Sequence, residues 1–180
     1  MDTRKDLTKR LIADGFKALL LRTPFEKISI MMITNEAGIR RPSFYNHFQD
    51  KYDLLAWIVE TEAVAPAGTA LRAGDGVGAL RTIFSALVDD AAFYRKAFAV
   101  TGQNGFEESF VDAVQKLLMN NLPLTPASSH AQLLSARTIA RFNAVCLVST
   151  VKHWLESGRV SSVDELIDAY LYLISHSVWQ

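Results

Sequence analysis

Between residues 40 and 51 the chain gathers side chains that donate hydrogen bonds: Arg40, Arg41, Ser43, Tyr45, Asn46, His47 and Lys51. They are interleaved with the aromatic rings of Phe44, Tyr45 and Phe48. A guanidinium fork matches the O6 and N7 acceptors of guanine, and hydroxyl, amide, imidazole and ammonium groups suit phosphate oxygens or base edges. A helix built only for packing has little use for so many donors, although an ordinary pair of packed helices stays open as a rival reading. Covalent chemistry finds less support. The four histidines, His47, His130, His153 and His176, have no metal-ligand spacing with one another or with carboxylates. Cys146 sits in an apolar stretch and reads as a core thiol. Neither a glycine-rich phosphate loop nor a nucleophile elbow is present. No metal, cofactor or catalytic residue is expected.

The donors need a frame. In ISIMMITNEAGIRRPSFYNHFQDKYDLL, Ser29 is placed to cap a first short helix, and Ile30, Ile33 and Ala37 form its apolar stripe. Gly38 stands where a sharp turn calls for positive φ. Pro42 falls in the first turn of a second helix, where a missing N–H costs nothing. Phe44 and Phe48, four apart, bury one side of that helix and leave Arg41, Ser43 and Asn46 projecting. Two short helices about a glycine turn make a helix-turn-helix unit, whose second helix enters the major groove of DNA.

The run AGIRRPSFYNHFQDKYDLL resembles the signature of the tetracycline-repressor (TetR/AcrR) family of bacterial transcriptional regulators, with Ala37, Gly38, Ser43, Phe44, Tyr45, His47, Phe48, Lys51, Leu54 and Leu55 in register. The resemblance implies an N-terminal three-helix DNA-binding domain over residues 1–50, followed by a helical effector-binding and dimerisation domain over residues 51–180. It implies phosphate contacts from Tyr45, His47 and Lys51, the last also at a helix N-terminus, where an anion is favoured. It brings Arg4, Lys5, Lys9 and Arg10 near the DNA backbone. Ser29, Arg40 and Pro42 join Arg41, Ser43 and Asn46 in the DNA-facing set. Arg40 departs from the pattern, replacing a common serine cap. Met31 and Met32 also depart, standing where the motif is usually polar. PFEKISI, HFQDKYDLLAWI and FYRKAFAVTGQNGFEESF are similar to the branch of dihydroxyacetone-kinase-operon regulators. The family resemblance implies a repressor released from a palindromic operator by a small molecule. The branch leaves an activator or a co-regulator working through a partner protein as the alternative.

Composition is compatible with this. Hydrophobic residues make up 49% of 180, and the formal net charge is zero. The cations are unevenly spread: residues 1–55 hold ten Lys/Arg against seven Asp/Glu, and the remainder nine against twelve. That asymmetry suits phosphate contact at the front of the chain. A charged opening with no apolar core region argues against a signal peptide, and the longest apolar run, near Ala144–Val151, is too short for a membrane span. A cytoplasmic protein without a membrane partner is expected.

The rest of the chain reads as an all-α bundle. Helices are expected at Asp2–Leu21, with Leu7, Leu11, Ile12, Phe16, Leu19 and Leu20 buried, and from Lys51 to about Ala65, stopped by Pro66. Ala65–Val77 reads as a loop. Further helices are expected at Gly78–Asp90, Phe93–Val100, Gly105–Asn121, Ser129–Ser157 and Val163–Val178, with Ser162 and Glu165 forming a capping box. The last two are apolar over most of their circumference, which predicts a four-helix interface between two copies of the chain. Two heads about 34–36 Å apart then match a palindrome. Trp57, Phe84, Phe98, Phe106, Phe110 and Phe142, with Gln103 and Asn143 as polar partners, are the candidates for lining an effector pocket, core packing being the plainer alternative. Asn104, Arg141 and His153 are further polar candidates.

Overall fold

The computed structural model describes residues 4–102, 105–123, 134–159 and 161–176, and among these the regular structure is entirely helical. Helix α1 (Arg4–Arg22) carries Ile12, Phe16, Leu19 and Leu20 into the core. Leu7 and Leu11, expected in the same stripe, are instead 56% and 44% exposed, because the core that this helix covers begins only at Ile12. Gly15 explains how closely α1 crosses α2 (Ile30–Glu36): a Cβ there would come within 3.1 Å of the Ala37 nitrogen. Thr23 and Pro24 end α1, and a single 3₁₀ turn, Phe25–Lys27, leads into α2. Helix α3 (Arg41–Tyr45) completes the head with α1 and α2.

Lys51 opens α4 (Lys51–Ile58), and here the structure departs from expectation. Pro66 does not stop the helix. The chain passes through a π-helical turn at Val59–Val64 and a 3₁₀ turn at Ala65–Ala67 into α5 (Gly68–Arg72), so the expected loop shrinks to residues 73–75. A proline inside an α-helix loses one hydrogen bond and collides with the carbonyl four residues back. Widening the preceding turn relieves both problems, and the Ala65 N–H duly reaches back five residues to the Glu60 carbonyl. The resulting rod, Lys51–Arg72, has the length and mean hydropathy (1.2) of a membrane span, but half of that window is buried within the protein.

Five helices complete the body: α6 (Gly76–Asp89) and α8 (Phe106–Asn121) pack on the rod, α9 (Ala136–Ser157) packs on α8, α10 (Val163–Ser175) on α6 and α9, and α7 (Ala91–Phe98) on α1 and α9. Helix α6 starts two residues early because Asp75 caps it, accepting from the Gly78 N–H at 2.7 Å. Ser135 caps α9; the expected start at Ser129 and the Thr125-Pro126 step lie outside the described residues, as does Val178. Both halves of the Ser162–Glu165 capping box are present.

An ion cluster joins α1 to the rod and to the α6–α7 junction. Lys17 of α1 reaches Glu62 in the π turn at 2.8 Å and Asp90, between α6 and α7, at 2.6 Å, with its ammonium 5.2 Å from the Phe93 ring centroid. Its side chain is only 22% exposed. Desolvation works to lower the Lys17 pKa, but the hydrogen bonds and charges of Asp90 and Glu62 outweigh it and hold the group above its ordinary value. The stability this adds is therefore full below the unfolded-state pKa and lost as pH rises through the raised one. Lys17→Met is expected to cost about 1.5–3 kcal/mol at pH 7 in urea unfolding and to remove that alkaline loss.

Candidate nucleic-acid interface

The turn between α2 and α3 is built by its local chemistry. Ser29 caps α2, its Oγ accepting from the Met32 N–H at 3.2 Å. At the other end Gly38 takes φ +66°, while the Ile39 N–H bonds the Thr34 carbonyl at 2.9 Å and the Gly38 N–H bonds the Asn35 carbonyl at 3.2 Å. These paired bonds close the helix end and send the chain off sharply. Helix α3 starts at Arg41 with Pro42 in its first turn; Arg40 stands at its cap position and makes no side-chain cap bond. Phe44 is fully buried and Phe48 nearly so, and their rings pack 5.7 Å apart against the core.

With those rings turned inward, α3 shows the opposite face to solvent. Arg40, Arg41, Pro42, Tyr45 and Asn46 are exposed, Ser43 and His47 half-buried, and Ser29 exposed at the start of α2. The structure therefore brings the expected donors onto one surface. Arg41 and Tyr45 lie one turn apart, with a guanidinium nitrogen 3.3 Å from the phenol oxygen and the guanidinium carbon 5.7 Å from the ring centroid. This pairing holds the Arg41 fork in one direction without burying it. Met31 is 63% exposed beside this face, whereas Met32 packs against the core.

The opening of α1 joins the same surface. Desolvation lowers the His47 pKa, and the positive charges of Lys9 and Lys5 lower it further, which keeps the imidazole neutral near pH 7. Lys9 also lies over the Phe48 and Trp57 rings, 5.7 and 5.5 Å from their centroids. Trp57 is thus part of the seam between head and rod, edge-on to Phe48 at 5.6 Å, and not a body-pocket residue.

Lys51 is placed differently from the other cations. Its ammonium donates to the Phe25 carbonyl at 2.7 Å and the Ile28 carbonyl at 2.9 Å, and stands 4.3 Å from the Phe25 ring centroid. Burial lowers its pKa, partly offset by Glu26 and Asp50. Lys51 therefore ties the α1–α2 connection to the start of the rod. The free N–H groups expected there are already engaged, because Asp50 caps α4 by accepting from Tyr52 and Asp53 at 2.8 and 2.9 Å. That cap was legible in the sequence, as an aspartate one residue before the helix that carries Leu54, Leu55 and Ile58.

The other expected pocket residues do not converge. Phe98, Phe106 and Phe110 pack ring to ring at 5.0 to 6.2 Å, and Phe84 is fully buried. Core packing accounts for these four. Phe142 points outward from α9 and is 71% exposed, since the inward face of that helix is taken by Ala144, Leu147, Val148 and Val151. Arg141 is held by Glu108 at 2.5 Å and Asp112 at 2.6 Å, and His153 is exposed. Gln103 and Asn104 lie outside the described residues. Asn143 lines an apolar cavity between α5, α6, α8, α9 and α10, whereas Phe142 and Arg141 border a separate, open depression between α8 and α9.

Comparison with known proteins agrees with this geometry. Residues 12–58 match the family model described as bacterial regulatory proteins, tetR family, and residues 78–176 match a transcriptional regulator C-terminal region. The chain is 26% identical over 170 residues to the HTH-type dhaKLM operon transcriptional activator DhaS of Lactococcus lactis subsp. lactis (strain IL1403), covering 93% of this chain and 89% of that one. A solved structure of the dihydroxyacetone kinase operon activator DhaS superposes with a TM-score of 0.64 at 24% identity, covering 93% of this chain and 94% of that one. FadR of Thermus thermophilus, a TetR-family transcriptional repressor solved in complex with lauroyl-CoA, superposes with a TM-score of 0.59 at 16% identity, covering 92% of both chains.

Proposed function

We propose, for a chain that belongs to the TetR family of bacterial transcriptional regulators, that two copies paired through α9 and α10 read a palindromic operator with α3 and release it when the body binds an effector. The observation that carries this reading is the division of α3: Phe44 is fully buried one residue before Tyr45, which is 49% exposed beside Arg41. Exposed arginine and tyrosine on a short helix held by a buried ring suit a major groove. Pairing is supported by the apolar surface left uncovered on the last helices. Phe142 and Val145 of α9 and Tyr172 and Leu173 of α10 are 71%, 43%, 62% and 57% exposed, whereas Leu147, Val148, Val151, Trp154, Leu166 and Ile167 are used inside the subunit. A ligand regulates such a pair by favouring one spacing of the heads over another, and the Lys51–Arg72 rod touches both parts.

Selection of bound genomic fragments, followed by anisotropy titration at several salt concentrations, tests the reading. Arg41→Ala is expected to cost about 1–3 kcal/mol on the selected site and to relax preference at one base position. Lys51→Ala is expected to weaken selected and random duplexes alike, because it loosens the frame on which α3 sits. Equal losses for both variants on every sequence would refute that division. A second reading, activation through a partner protein, is favoured by the operon activator to which the chain is similar. In vitro transcription from the selected site separates the two by the sign of the response.

A further inference from the structure

The cavity that contains Asn143 has a volume of about 340 Å³, within the range of small-molecule pockets. Its walls are hydrocarbon, with Leu71 from the end of the rod, Ile83 from α6, Leu117 and Leu118 from α8 and Leu147 from α9 among them. Among the described residues, no charged side chain lines it. Asn143 and Tyr170 are its two polar side chains, and they adjoin each other: the Tyr170 hydroxyl donates to Asn143 Oδ1 at a long 3.4 Å. One N–H of the Asn143 amide is committed to the Ile139 carbonyl at 2.9 Å, and the second remains available. Acceptor capacity also remains on the Tyr170 oxygen and on Asn143 Oδ1. Burial pushes the Tyr170 phenol up to about 12, so it stays neutral.

We propose that this cavity is the effector site, and that its ligand is an uncharged aliphatic molecule with one hydrogen-bonding end directed at Asn143 and Tyr170. The inference rests on the regulator reading above and names the ligand class. A polyhydroxylated ligand would leave several hydroxyls facing hydrocarbon, each at about a tenfold or greater loss of affinity. A phosphorylated or carboxylated ligand would find no cation among the described lining residues. Because Leu71 lies in the last turn of the rod that begins at Lys51, a ligand here braces α5 against α6 and bears on the element that carries the head.

The test uses the full-length protein and displacement of N-phenyl-1-naphthylamine fluorescence by linear primary alcohols from hexanol to decanol. Affinity is expected to rise about fourfold per methylene until the cavity is filled. Leu118→Trp and Leu80→Trp, which fill the partly exposed mouth, are expected to abolish both probe and alcohol binding. Asn143→Leu is expected to keep the probe but weaken the alcohols about tenfold. The proposal is overturned if chain length has no effect, if both tryptophan variants bind as the parent does, or if glycerol, dihydroxyacetone or decanoyl-CoA displaces the probe better than decanol. DNA retention measured in parallel separates the two claims. Alcohol binding with unchanged DNA retention upholds the ligand class but sinks the effector role. Intact DNA binding with no alcohol binding sinks this inference alone.

Discussion

Phe142→Asp is expected to turn the protein into a monomer that binds palindromic DNA at least about 100-fold more weakly, as read by sedimentation and anisotropy. The ring is 71% exposed in the isolated subunit, so its loss removes little from the subunit fold; the variant should stay fully helical, and its unfolding should lose the protein-concentration dependence of a dimeric parent. In the proposed pair the same ring lies at a twofold interface with Val145, Tyr172 and Leu173, where two aspartates, one from each copy, would be buried against an apolar surface. The penalty on DNA comes from losing the linkage between heads. Joining two weak sites raises overall affinity by about 10²- to 10⁴-fold without any new contact, and separation forfeits that gain. Binding to an isolated half-site should be unchanged. A Phe142→Asp protein that remains dimeric would remove α9 from the interface.

The second large effect lies in the head. Phe44→Ala should cost about 3–5 kcal/mol, because a fully buried ring in contact with Phe48 and Tyr45 is deleted from a small core that cannot collapse around the gap. Thermal unfolding followed by circular dichroism should show an early transition assigned to residues 4–50, with DNA binding lost at temperatures where the body is still helical. The next residue supplies the contrast. Tyr45→Ala removes an exposed ring and should leave the unfolding curve near that of the parent while weakening DNA binding. Two adjacent aromatics thus separate a folding role from a recognition role. The division fails if Tyr45→Ala unfolds the head or Phe44→Ala leaves it intact.

Much of the head is legible in the residues because its rules are local. The Ser29 cap, the positive φ of Gly38, the first-turn position of Pro42 and the burial of Phe44 and Phe48 each follow from neighbours within a few residues. The glycine contact at Gly15 is different. Nothing within α1 announces it, since the constraint comes from Ala37 across the crossing. Pro66 misleads for a related reason. A proline does end an isolated helix, but the continuous rod is held by its surroundings, with Glu60 and Glu62 of the π turn tied to Lys116 and Lys17.

Aromatic residues show the same limit. Counting rings in the body suggested a lined pocket, yet Phe98, Phe106 and Phe110 are spent on one another, and the cavity is bounded mainly by leucines that no spacing rule singles out. By itself, the sequence determined the helical class, the turn that presents α3, and which of its side chains face out, because backbone propensity and short-range periodicity decide those. Only the tertiary structure decided that Lys51 turns back onto the backbone carbonyls of the α1–α2 connection, that Phe142 faces solvent, and where the body is hollow. These depend on which helix packs against which, and that is settled by contacts between residues far apart in the chain.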